Sequence, residues 1–135
     1  MSRKKNGKIA LAVVLVVFLG TMFVQASESA FLYSNESSKA TSMLDMNSLN
    51  YVYITGSVGQ TSAHDVEFVV RGSLGGYGGW YDLGRFSKTR GQSFSPIKYA
   101  NSYTHAKATM YGNSEASPEI NCIAACTIGA TNDPD

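Results

Sequence analysis

The chain is poor in the residues that build catalytic and metal centres. Its 135 residues include two histidines, two cysteines and one tryptophan, and only 16% of the side chains are charged. His64 and His105 stand far apart in sequence, and with Cys122 and Cys126 they match no compact zinc-ligand pattern, so no metal is expected. There is no G-x-S-x-G and no H-E-x-x-H. The glycine-crowded stretch from Gly72 to Gly79 lacks the Lys-Ser/Thr ending of a phosphate loop and sits between strands rather than before a helix. An enzyme would have to unite His64 and His105, with Lys98 or Lys107 nearby, for acid–base work on a phosphodiester. Nothing in the sequence brings them together, and the expectation is a non-catalytic protein without a cofactor.

Basic runs are also missing once the first residues are set aside. Arg3, Lys4, Lys5 and Lys8 precede an apolar stretch from Ile9 to Phe23, and Val24-Gln25-Ala26 places small residues at −3 and −1 of a cleavage site. This is the pattern of a helical secretory signal peptide over 1–26, shorter than a membrane span. Beyond residue 26 seven bases face ten acids, a net charge of −3. A mildly acidic exported domain offers no footprint for nucleic acid, and no membrane attachment is expected after cleavage.

What remains is rich in Ser, Thr, Gly, Asn and Tyr, a mixture that favours strands and turns over helices. Residues 27–49 read as a leader or a short edge strand, with Phe31, Leu32 and Tyr33 joining a sheet late. Met43, Leu44, Met46 and Leu49 fit a helical turn or a short strand equally well. From Tyr51 the alternation sharpens. Val52, Ile54 and Val58 share one face, and Val66, Phe68 and Val70 share another, so these two strands are expected to pair. Gly72 to Gly79 then gives a hairpin connection into Trp80–Phe86, because glycine reaches positive φ without steric cost. Pro96 marks Ser93–Tyr99 as an edge or bulged strand. Tyr103–Tyr111 alternates again, with Ala106, Ala108 and Met110 inward. Short strands at regular intervals predict an all-β antiparallel sandwich of about six to eight strands over 50–130, with a frayed tail at 131–135.

The tail holds both cysteines. Ser117-Pro118-Glu119 resembles a helix start, but INCIAACTI suits a buried strand just as well. The choice decides the thiols. Four residues cover about 13 Å in a strand and about 6 Å in a helix, and a disulfide needs Cα atoms roughly 4.4–6.8 Å apart. Cys122 and Cys126 are therefore either a small bridge in a helix or tight loop, or two buried thiols.

The candidate contact residues are aromatic. Tyr77, Trp80 and Tyr81 lie in or beside the glycine loop, Tyr51 and Tyr53 share the outer face of their strand, and Tyr103 and Tyr111 lie on another. Together they would form a strip across a sheet, suited to a glycan or a protein surface. Export, missing catalytic motifs and these aromatics point to a small secreted protein that binds an extracellular protein or glycan. The alternative is a bacteriocin-like or toxin-like effector acting on a target membrane through the glycine loop or the uncharged run Asn121–Asn132.

Overall fold

A computed structural model describes residues 26–75 and 78–134. The predicted signal peptide, apart from Ala26, lies outside the described residues, as do Tyr77 and the last residue of the tail. Nine strands and no helix occupy the described chain: β1 (Ser27–Leu32), β2 (Ser38–Ala40), β3 (Leu44–Asp45), β4 (Tyr51–Val58), β5 (Val66–Ser73), β6 (Tyr81–Lys88), β7 (Ser93–Ala100), β8 (His105–Gly112) and β9 (Ala124–Thr131). All named pairings are antiparallel, as the composition and alternation predict.

The strands form two sheets. One has the order β1-β9-β4-β7 and the other β2-β8-β5-β6, with the short β3 also on β8. Their inward side chains meet in a single core. Leu32, Val52, Ile54 and Ile128 enter it from the first sheet, and Val66, Phe68, Val70 and Met110 from the second. Strand order against chain order gives interleaved Greek-key crossovers, the connectivity of a double-sheet jelly roll. Each fully buried aliphatic side chain contributes about 1.5–3 kcal/mol relative to exposure. At one edge the layers are joined by three rings: Phe68 lies 5.3 Å from Phe86 and 5.0 Å from Phe94. Beside them Tyr99 of β7 lies across Gly84 of β6, where any Cβ would overlap its ring.

One expectation is corrected, and two alternatives are decided, for an edge strand in 27–49 and for a strand rather than a helix in the cysteine segment. β4 and β5 are not neighbours; they belong to opposite sheets. Both edges of β4 are taken, by β7 and β9, so residues 59–65 carry the chain across to the other layer. That crossing is tied to the segment before β9, with Gly59 N–H donating to Ile123 O and Ala63 N–H to Asn121 O. Residues 27–49 are not a detached leader: β1 pairs with β9 along its whole length, and Leu32, Leu44 and Met46 are core residues. No helix starts at Ser117. Pro118 bridges Asn113 in a turn, Glu119 N–H donates to Gly112 O, and the chain is extended again from Ala124.

The inward and outward sets of β5 and β8 fall as the alternation predicts. Pro96 also sits where its missing N–H is tolerated, on edge strand β7 opposite the register shift between Ile54 and Gly56.

Candidate functional site

The β5–β6 hairpin places aromatic side chains at one end of the layers. Gly75 and Gly78 adopt φ of 67° and 72°, which a side chain would strain, so the glycines are what let this connection reverse. Gly75 N–H donates to Thr104 Oγ1 at 2.7 Å, which fastens the near arm of the loop to the turn before β8. The far arm delivers Trp80 and Tyr81. Tyr81 is 55% exposed and stacks on Tyr103 with centroids 5.2 Å apart and planes 6° from parallel. Tyr103 in turn lies against Gly72, whose lack of a Cβ lets the ring approach. Trp80 is half-buried, with Lys107 Nζ 4.3 Å from its ring centroid, and Leu74 is 63% exposed on the near arm. The result is two adjoining features: a stacked Tyr81–Tyr103 platform on the inward side of the sheet at its end, and a Trp80–Lys107 pair on its outer face, where Lys107 stands opposite Arg71.

At this end of the layers two buried polar atoms, Ser73 Oγ and Asn101 Nδ2, have no hydrogen-bond partner among the described residues. Asn101 uses its Oδ1 to accept Tyr103 N–H at 2.8 Å, so its amide is already oriented.

A charged network occupies the rest of this sheet's outer face. Arg71 donates to both carboxylate oxygens of Glu115 at 2.8 Å and to Asp82 Oδ1 at 2.6 Å. Arg85 spans Asp82 Oδ2 and Glu115 Oε1 at 2.8 Å and reaches Glu67 Oε1 at 3.3 Å. Tyr111 donates its hydroxyl to Glu115 Oε2. The Arg71 hydrogen bonds, helped by Arg85 and Tyr111, hold the Glu115 carboxyl down to about 2. Arg85 and then Arg71 likewise lower Asp82, and both guanidiniums are held protonated still more firmly than usual. Two arginines against three carboxylates leave the network self-satisfied. It shields Val69, fully buried on this outer face, and fixes residues 113–118 against the sheet. Alternation along β5 puts Glu67 and Arg71 on one face, but alternation along β6 would set Asp82 and Arg85 on opposite faces; the register shift between Val70 and Arg71 brings them to the same one. Glu115 stands in a turn with no periodic signal.

The predicted contact residues divide. Tyr81 is brought onto Tyr103, whereas Trp80 pairs with Lys107 on the outer face. Tyr51 and Tyr53 lie on β4 in the opposite sheet, so the aromatics do not form one strip. Tyr53 is only 6% exposed and covers Gly129 of β9, and burial raises its hydroxyl pKa. It supports the sheet and is no contact surface. Tyr111 is taken up by the network.

Cys122 and Cys126 are free and buried, with Cys126 pointing from a strand into the core. The strand geometry explains the absence of a bridge. His64 and His105 sit at opposite ends of the β5–β8 pair, about 20 Å or more apart by strand rise. His64 pairs with Glu119 at 3.1 Å, and His105 Nδ1 lies 2.8 Å from Thr104 Oγ1. No group of three or more metal-ligating side chains occurs among the described residues.

No protein-family profile matches the chain, and no curated protein matches it. Among solved structures it is similar to the crystal structure of PirA, with a TM-score of 0.47 and 12% identity over 77% of this chain and 92% of that one. It is also similar to the Yersinia pseudotuberculosis-derived mitogen, with a TM-score of 0.45 and 14% identity over 82% and 87% of the two chains. Likeness at this level has no bearing on function.

Proposed function

We propose that the chain is a small exported, non-catalytic binding module that engages a protein or glycan at a cell surface through the Tyr81–Tyr103 platform, with Trp80 on the adjoining outer face. The sequence supports export through its first 26 residues, and cleavage after Ala26 would leave Ser27, the first residue of β1, as the N-terminus. One observation carries the binding reading. The Tyr81–Tyr103 stack stands exposed at the end of the layers, where core rings would be covered, and a glycine loop holds it there. Aromatic faces of this kind supply large contact area at little cost in side-chain entropy.

The test is binding of fluorescently tagged protein to intact cells. Trp80→Ala with Tyr81→Ala removes the platform and is expected to abolish binding while the melting temperature stays nearly unchanged. A large fall in melting temperature would assign these rings to the fold and sink the reading.

A toxin-like effector acting on a target membrane is the second reading, and the exposed Leu74 and Tyr81 on the two arms of the loop favour it. The Asn121–Asn132 run is largely β9, central in its sheet, so this action would begin at the 72–81 loop. Dye release from liposomes at micromolar protein separates the readings, since a surface-binding module leaves the vesicles intact.

A further inference from the structure

We infer that the free edge of β1 is a pairing surface for a second copy of this chain. Two β1 strands join antiparallel about a two-fold axis and run the first sheet of one copy into that of the other. The inference goes beyond the binding reading above and does not depend on it.

The edges of the two sheets are unequally protected. A strand at a sheet edge offers a row of unpaired N–H and C=O groups, and folds blunt such edges with proline, lysine, bulges or short strands. β7 carries Pro96 and Lys98 and pairs with β4 through a register shift. β6 carries Arg85 and Lys88 and likewise pairs with β5 through a shift. β2 spans three residues, one of them Lys39. β1 has none of these devices. It runs six residues in unbroken register with β9, and its one charged residue, Glu28, stands on the inward side opposite Ile128. Among the described residues, no backbone hydrogen bond outside the β1–β9 ladder involves Ser27–Leu32.

The side chains fit an antiparallel copy. Pairing must keep the outward set of β1, Ser27, Ser29 and Phe31, on the outer face of the joined sheet, which centres the two-fold axis on Ser29 or on Ala30. In both registers the large residues at one end of β1 meet the small ones at the other. Phe31 falls opposite the second copy's Ser27 in the first register and its Ser29 in the other. Phe31 and Tyr33 are 37% and 58% exposed, with ring centroids 4.8 Å apart, so this pairing covers apolar area that now faces water. Glu28 meets Ala30 or Leu32 of the second copy and never the second copy's Glu28. A contact that is its own partner closes at two copies. An edge contact is smaller than the roughly 1,600 Å² of a standard interface, so a micromolar dimer is expected.

The pairing leaves the platform free. β1 and β7 are opposite edges of the first sheet, and β6 adjoins β7 through Phe86 and Phe94, 5.0 Å apart. The hairpin that carries Tyr81 therefore lies away from the joined edge, and the dimer presents two platforms, which makes it bivalent.

Sedimentation velocity of the purified protein across the micromolar to millimolar range is expected to show a reversible monomer–dimer equilibrium. Ser29→Lys brings two lysines together at the axis and is expected to weaken dimerisation at least about tenfold, with the melting temperature nearly unchanged. Phe31→Ser is expected to weaken it without adding charge. Mild oxidation locates the axis. Ser29→Cys, alone or mixed with Phe31→Cys, is expected to form a disulfide between copies, because opposed residues lie within bridging distance. Ser57→Cys, exposed on β4 two strands away, is expected not to crosslink, and the native Cys122 and Cys126 are buried.

A monomer throughout the concentration range overturns the inference. So does a dimer that Ser29→Lys and Phe31→Ser leave unweakened, or one that crosslinks through Ser57→Cys and not through the β1 cysteines. The Trp80→Ala, Tyr81→Ala protein is expected to dimerise as the wild type does, so this inference and the binding reading fail separately.

Discussion

Replacing Phe68 by alanine tests the two-layer core at its most connected side chain. Phe68 is fully buried, and its ring meets Phe86 of its own sheet and Phe94 of the opposite one at centroid distances of 5.3 and 5.0 Å. A buried phenylalanine truncated to alanine costs about 3–5 kcal/mol in transfer and cavity terms. The two ring contacts place this site toward the upper half of that range, because each aromatic pair is worth about 0.5–1.5 kcal/mol beyond its area. Unfolding entropy near about 2.1 cal/mol/K per residue gives roughly 0.23 kcal/mol/K for about 110 ordered residues. A loss of about 4 kcal/mol therefore lowers the melting temperature by about 17 °C. Differential scanning calorimetry of wild type and Phe68→Ala gives both the midpoint and the enthalpy. A decrease below about 5 °C would mean that the rings are not packed between two layers, and the shared core would be refuted.

Gly84→Ala drives a methyl group into the Tyr99 ring across the layers, and overpacking of this kind costs about 1–3 kcal/mol; an unchanged midpoint in a urea melt would contradict that contact. Glu115→Gln tests the charged network by its pH dependence. The folded carboxyl is held at about 2, below its ordinary 4.5, so its stabilisation is fully present above pH 4.5 and fades as the pH falls toward 2. Wild type is therefore expected to melt above Glu115→Gln at pH 7, with the gap narrowing below pH 4.5; a gap that widens in acid would reverse the assignment. Burial pushes the Cys126 thiol up to about 12. Native protein is expected to resist alkylation at both cysteines and to take up two alkyl groups in denaturant, and an intact mass two hydrogens light would reveal a bridge instead.

The sequence disclosed the strands better than their partners. Alternation identified the inward sets of β4, β5 and β8, because burying one face leaves a period of two that needs no knowledge of neighbours. Pairing depends on which edges are already occupied, so two consecutive alternating strands looked like a hairpin while β9, far along the chain, held the place beside β4. β1 and β3 were obscured for the same reason, since each is short and finds its partner late in sequence. In the candidate site the glycine loop announced Trp80 and Tyr81, and the stack of Tyr81 on Tyr103 required the fold. Tyr53 shows where outward-facing is a poor guide to exposure. Next to a glycine on the adjacent strand, an outer aromatic ring folds down and covers the backbone.

The placement of the network bears on how the platform works. Arg71 and Asp82 hold each other across the same hairpin whose tip carries the aromatic rings, and Glu115 anchors both arginines to a third segment. The base of the hairpin is thus fixed by charge-assisted hydrogen bonds on one face and by core packing on the other. The loop, by contrast, is tied to its surroundings by the Gly75–Thr104 bond. A stiff base beneath the rings holds the contact residues in position, which lowers the entropy lost when a ligand binds them. Weakening the network by Glu115→Gln should therefore reduce ligand affinity without touching the platform. Unchanged affinity in a variant of measurably lower stability would show that the base and the site are uncoupled.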